Sequence, residues 1–222
     1  MAKAEYGDII YTKHNLYRHY GIYINENCVV HYDCLLYTSG VHMKLKTKEL
    51  VICSIFASLT AILTQISIPL PAVPLTMQVF AVALCGLVLG KRLGFISQII
   101  YVLLGTIGLP VFAQFSGGIG IILGPTGGFI LSFPIIAFIV GYFSEKFKST
   151  IGIMFGMICS LLISYIIGTL QFCIVTNSDF IKGLTICVAP FIIVDIIKLS
   201  LATLVGKSIL RRVNFGYSIE TS

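Results

Sequence analysis

Charge is what this sequence has least of. Of its 222 residues only 11% are Asp, Glu, Lys or Arg, against 57% hydrophobic. A soluble domain carries about a quarter charged residues, so the surroundings that suit this chain are lipid rather than water. The net charge of +6 is spread thinly. No Lys/Arg cluster is interleaved with aromatics, which argues against nucleic acid as a partner. The seven cysteines (Cys28, Cys34, Cys53, Cys85, Cys159, Cys173 and Cys187) include no CxxC and no Cys/His zinc spacing, so no metal is expected. The last five lie in or at the ends of apolar segments, where free Cys packs as a small hydrophobe. No cleavable signal peptide is expected, because the first strongly apolar stretch starts near residue 50 and is long enough to span.

Catalytic signatures are missing as well. GxSxG, HExxH and paired carboxylates do not occur in the apolar part. Gly206-Lys207-Ser208 mimics the end of a phosphate-binding P-loop, but Leu201 stands where that loop needs Gly, inside an apolar run. The expectation is a chain with no catalytic residue and no cofactor, which does not hydrolyse ATP itself. A stand-alone secondary transporter would show inverted repeats with broken helices, and no internal repeat is evident.

What is there is hydrocarbon. A spanning helix needs about 20 predominantly apolar residues, and six stretches qualify: 49–67, 75–90, 93–109, 121–143, 151–173 and 184–208, the second and third being short. Loop charge supports the number. Lys44, Lys46 and Lys48 precede the first stretch, Lys91 and Arg92 split the second from the third, Lys146 and Lys148 follow the fourth, and Lys207, Arg211 and Arg212 follow the last. Six crossings put all of them on one side and leave only Lys182 opposite. The positive-inside rule then places both termini in the cytoplasm of a multi-pass protein of the cell membrane. The predicted fold is an all-α integral membrane protein of six transmembrane helices, preceded by a short β-hairpin-like segment. In that segment Ile22–Ile24 and Val29–His31 flank a turn at 25–27. Small residues four apart let helices approach closely in lipid. They occur at Gly86/Gly90, Gly152/Gly156, Gly120/Gly124/Gly128 and Ala57/Ala61.

Two places carry candidate chemistry. Asp195 and Lys198 are the only charges well inside an apolar stretch, and a spacing of three puts them on one helix face. Such charges face a cavity or a partner. The pair is either a ligand-binding face or an internal ion pair that pins helices. The second place is the glycine-rich run from Gly108 to Gly128, where Gln114, Ser116 and Thr126 offer hydrogen bonds and Phe112 and Phe115 offer apolar cover. Its near-lack of charge argues against phosphate as a ligand.

These runs resemble a known family. Ile68-Pro-Leu-Pro-Ala-Val-Pro-Leu-Thr-Met-Gln78, Gly108-Leu-Pro-Val-Phe-Ala-Gln-Phe-Ser-Gly-Gly118, Gly124-Pro-Thr-Gly-Gly128 and Pro190-Phe…Asp195-Ile-Ile-Lys198 are similar to BioY, the biotin-binding S components of energy-coupling factor (ECF) transporters. The resemblance covers about residues 44–213. It implies biotin as the transported ligand, capture from outside, and partners that drive import: a transmembrane T component and two ATP-hydrolysing subunits. It further implies that Asp195 accepts from the urea N–H groups of biotin and that Lys198 donates to the urea oxygen or offsets nearby charge. Gln114 would add a polar contact, with Phe112 and Tyr101 flanking the rings. Ala57-Ser-Leu-Thr-Ala61 would be the small-residue face packing on the T component.

Residues 1–42 fall outside that resemblance. Gly7-Asp-Ile-Ile-Tyr11, Arg18-His19-Tyr-Gly-Ile-Tyr-Ile24 and Val30-His31-Tyr32 resemble the start of lecithin:retinol acyltransferase-like hydrolases. There His19 would be the catalytic base and His31 its polar partner. The nucleophilic Cys of that family belongs to a later motif, in which neither Cys28 nor Cys34 sits, and a base without its nucleophile transfers nothing. Cys34-Leu-Leu-Tyr-Thr-Ser39 resembles a translated sequencing-adapter sequence. The expected organisation is therefore an extraneous fragment 1–42, a membrane domain 43–213 starting at Met43, and a cytoplasmic tail 214–222.

Overall fold

The computed structural model describes residues 9–14, 17–25, 28–32, 47–69, 73–147 and 149–212. Lys44, Lys46, Lys148, Cys34 and the tail 214–222 lie outside the described residues, as do the side chains of Cys28, His19 and His31. The expected turn at 25–27 is only partly described. The chain divides into two compact units, Met1–Lys44 and Leu45–Ser222.

In the first unit, strands β1 (Ile9–His14), β2 (Tyr17–Asn25) and β3 (Cys28–Tyr32) form an antiparallel sheet in the order β1-β2-β3. Tyr11 pairs with Tyr20, and Ile22 pairs with Val30.

The second unit is helical. Its helices are α1 (Thr47–Thr64), α2 (Gln78–Thr106), α3 (Ile119–Leu123), α4 (Gly127–Lys146), α5 (Thr150–Thr176), α6 (Phe180–Cys187) and α7 (Ile192–Arg212). A two-stranded hairpin, β4 (Ser67–Ile68) with β5 (Leu75–Thr76), joins α1 to α2. Among the described residues four helices are long and apolar enough to cross a membrane, α1, α2, α4 and α5. Counting the bent pair α6–α7 as one crossing gives five.

Apart from the fourth stretch, 121–143, which breaks between α3 and α4, the six expected stretches map onto this with two differences. The second and third are the arms of α2. Gly90 breaks that helix with φ 77° and ψ 178°, a conformation that suits glycine. The break is a reversal, because Gln78 Nε2 donates to the Tyr101 hydroxyl at 2.9 Å. A continuous helix would hold residues 23 apart at roughly 35 Å. The arms touch where a Cβ on Gly94 would stand 3.0 Å from the Gly86 Cα. Neither arm alone has the length of a full span. The second difference is the last stretch, which is not one helix over 184–208. The backbone bends by 53° between α6 and α7, around Pro190, whose ring and missing N–H do not continue a helix.

Glycines set the closest packing, but not all the expected pairs serve. A side chain on Gly86 would meet the Ala137 carbonyl of α4, and one on Gly141 would meet the backbone of Gly90 and Lys91. Gly152 and Gly156 receive the rings of Phe147 and Phe143. Of the Gly120/Gly124/Gly128 repeat, only Gly128 packs on another helix, where an added Cβ would stand 2.7 Å from the Ile167 carbonyl of α5. Gly120 lies in α3 and has open space, while Gly124 ends that helix. The repeat is split between two elements and never forms one face.

The bundle sorts its residues as lipid demands. On α7 the side chains turned inward are Asp195, Lys198, Leu199, Ala202 and Thr203. Those turned outward are Ile192, Ile193, Ile196, Ile197, Leu201 and Leu204. A polar face inward and an aliphatic face outward inverts the pattern of a water-soluble helix.

The cationic ends gather at one end of the bundle. Lys91 forms an ion pair with Glu145 at 3.1 Å, joining the α2 reversal to the end of α4. Lys207 near the end of α7 bonds Thr150 at the start of α5. Ser97 donates to the Cys53 carbonyl at 2.8 Å, bringing the lower half of α1 beside the same reversal.

Candidate functional site

The predicted site residues fall into two clusters. The first surrounds a cavity of about 270 Å³ at the bundle end opposite the cationic turns. Phe112, Gln114, Ser116 and Thr126 all line it, joined by Gln78, by Val73 and Pro74 before β5, and by Ile121, Phe129 and Ile130. Its wall is therefore mostly apolar with a few polar groups, the usual build of a small-molecule site.

The wall is shaped by an irregular segment. After α2 the chain runs to a single 3₁₀ turn, Ala113–Phe115, closed by a Phe112 N–H donating to the Ser116 carbonyl at 3.0 Å. Gln114 (φ 58°) and Phe115 (φ 53°) both take the left-handed conformation. Two consecutive non-glycine residues rarely do so. The Phe112 ring fills the notch left by Gly105, which has no side chain to contest it. Phe115 points outward and is 72% exposed, so it covers nothing in the cavity.

Tyr101 does not line the cavity. It is fully buried behind it, edge-on to Phe112 with ring centroids 5.7 Å apart. Its hydroxyl donates to the Val111 carbonyl at 2.9 Å, accepts from Gln78, and lies 3.2 Å from Thr64. Its polar atom is committed to holding the wall, and the aromatic rings that line the cavity are those of Phe112 and Phe129.

The second cluster is built on α5 and α7. Asp195 accepts from the Lys198 ammonium on Oδ1 at 2.9 Å and from the Tyr165 hydroxyl on Oδ2 at 2.8 Å. Both charged side chains are buried, Asp195 at 3% and Lys198 at 5% exposure. Desolvated charges persist only when paired and hydrogen-bonded, and here each carboxylate oxygen has a donor. Neither residue is among those lining this cavity. α4 lies between the two clusters. Phe129 and Ile130 face the cavity, while Ser132 bonds Ser164, the neighbour of Tyr165, at 2.7 Å.

Ala57 does not offer a docking face. It is 2% exposed and packs in the core, and Ala61 is half-buried. The outward side of α1 carries Val51, Ser54, Ile55, Ser58 and Ile62. Phe56 beside Ala57 is buried in the same core.

Four contributing residues escape sequence reading: Gln65, Gln78, Tyr165 and Gln171. Gln171 donates to the Ile122 and Gly124 carbonyls at 2.6 and 2.9 Å, anchoring the end of α3 to α5. Each is a single polar residue within or beside apolar sequence, which is a usable signal, but its partner is far away in the chain.

Comparison with known proteins agrees with the motif reading. A model described as BioY family matches residues 39–215. A second, lecithin retinol acyltransferase, matches residues 2–66. A probable biotin transporter BioY of Pyrococcus horikoshii is 45% identical over 165 residues, covering 73% of this chain and 96% of its own. The biotin transporter BioY of Thermotoga maritima is 39% identical over 159 residues, covering 72% of this chain and 94% of its own. Among solved structures, the crystal structure of an S-component for biotin from an ECF-type ABC transporter superposes with a TM-score of 0.70 at 26% identity, covering 75% of this chain and 92% of that one.

Proposed function

Because the chain belongs to the BioY family, we propose that it is the membrane subunit that captures biotin from outside the cell and delivers it inward with an ATP-driven ECF module. The observation that carries this reading is the buried Tyr165–Asp195–Lys198 cluster. A cyclic urea presents two N–H donors beside one strong acceptor, and a carboxylate beside an ammonium is its complement. Asp195 accepts from the urea N–H groups and Lys198 donates to the urea oxygen. Buried polar groups matched in this way reject ligands that lack the partner groups. Gln114, Ser116, Thr126 and Gln78 supply hydrogen bonds in the cavity, and Phe112 and Phe129 supply apolar surface.

In this reading the chain crosses the membrane six times, the arms of α2 counting as two shortened passages and α6–α7 as one. Both termini lie in the cytoplasm, since the α2 reversal, the α4–α5 junction and the end of α7 carry the cations. The T component packs on α1 through Ser54 and Ser58, which lie open, rather than through Ala57 and Ala61. ATP hydrolysis belongs to the two ATPase partners.

The test is binding of labelled biotin to detergent-purified protein, with thiamine and riboflavin as competitors. Saturable binding that biotin alone displaces supports the reading. No binding, or displacement by another vitamin, sinks it.

A further inference from the structure

Gln65 makes an unusual set of contacts for a residue just past the end of α1. Its amide nitrogen donates to the Phe112 carbonyl at 3.1 Å, and its amide oxygen accepts from the Phe115 N–H at 2.9 Å. The nitrogen also reaches back to the Ala61 carbonyl at 3.3 Å. Reversing the amide would set donor against donor and acceptor against acceptor, so the geometry admits one orientation. The backbone groups held are those flanking Gln114 and Phe115, the two left-handed residues.

We infer that Gln65 is a positioning residue for ligand binding, a clamp that keeps the 112–116 turn in its strained shape. This deepens the proposed function and rests on it. Left-handed backbone is unfavourable for a non-glycine residue, and such strain persists only where surrounding contacts over-determine it. The intramolecular bond from Phe112 to Ser116 closes the turn, but it does not hold the Phe112 carbonyl or the Phe115 amide. Gln65 does both from just beyond the end of α1. Phe112, Gln114 and Ser116 are cavity-lining residues of this one turn, so relaxing it dismantles that part of the wall. Gln65 itself is not among the lining residues.

The variant Gln65→Leu keeps the bulk and removes the clamp. Its biotin affinity is expected to fall about tenfold, mostly through faster release. Phe115→Gly then provides the diagnostic rescue, because glycine enters the left-handed region without steric cost. Phe115 is exposed and does not line the cavity, so the double variant regains most of the lost affinity only if strain is the cause. Gln65→Asn, whose amide is one carbon short of the turn, gives a milder loss and serves if Gln65→Leu is poorly folded. Hydrogen exchange over residues 109–118 in ligand-free protein is expected to quicken in Gln65→Leu. Unchanged affinity and exchange overturn the clamp, and so does a loss that Phe115→Gly leaves in place. Wild-type protein that binds no biotin defeats the proposed function instead, and the exchange measurement still reads the clamp.

Discussion

The Tyr165 hydroxyl donates to Asp195 Oδ2 at 2.8 Å, across 30 residues of chain. With Lys198 on the other oxygen, both carboxylate oxygens of Asp195 are partnered. In the proposed reading, ligand binding at this cluster exchanges hydrogen bonds rather than creating them, and discrimination comes from the penalty for leaving a buried charge unmatched.

Replacing Asp195 by Asn leaves Lys198 buried without its counter-ion. Breaking such a pair costs about 3–5 kcal/mol of stability, and losing the charged acceptor for the urea N–H groups is expected to lower biotin affinity roughly ten- to a hundredfold. Equilibrium binding of labelled biotin checks this, and affinity within threefold of wild type removes Asp195 from the site.

Tyr165→Phe strips one donor from a buried carboxylate. The expected cost is roughly 1–3 kcal/mol of stability, read as a lower thermal midpoint in detergent. Biotin stabilises the variant more than it stabilises wild type, because the urea N–H replaces the missing donor. Equal ligand-induced shifts would show that biotin does not reach Oδ2.

Helix spacing gives a matched pair of glycine tests. Gly86→Ala drives a methyl into the Ala137 carbonyl, whereas Gly120→Ala meets nothing within 4 Å. Overpacking of this kind costs about 1–3 kcal/mol, so the thermal midpoint of Gly86→Ala falls by roughly 5 °C. Gly120→Ala stays at the wild-type value. The reverse ranking would contradict the close packing of α2 on α4 at Gly86.

Docking on the partner separates α1 residues that bind alike. Ser58→Trp lies on the outward side. It is expected to retain biotin binding while abolishing ATP-dependent uptake in cells that co-express the T component and ATPases. Full uptake by Ser58→Trp would move the docking face off this side of α1.

Sidedness is open to thiol labelling. With the native cysteines replaced, Arg92→Cys reacts only after the membrane is permeabilised, and Ile107→Cys reacts in intact cells. Ile107 ends the second arm of α2 and is 75% exposed. The opposite result reverses the proposed orientation.

The sequence by itself determined the surroundings and the charge map. Hydropathy and loop charge are sums over local composition, so they need no partner, and they marked the apolar stretches, the cationic turns and the two buried charges. Motifs marked the family for the same reason, since a run of residues is read without knowing what it touches. Only the tertiary structure decided that the second and third stretches are one hairpin, because that depends on the backbone at Gly90 and on Gly94 fitting against Gly86. It turned Ala57 inward and left Ser54 and Ser58 outward, a rotation set by which side of α1 the α2 hairpin fills. It took Tyr101 out of the cavity and brought Tyr165 to Asp195. Hydrogen bonds act over about 3 Å, and which residues come that close is fixed by the packing of whole helices, a property no local stretch of sequence carries.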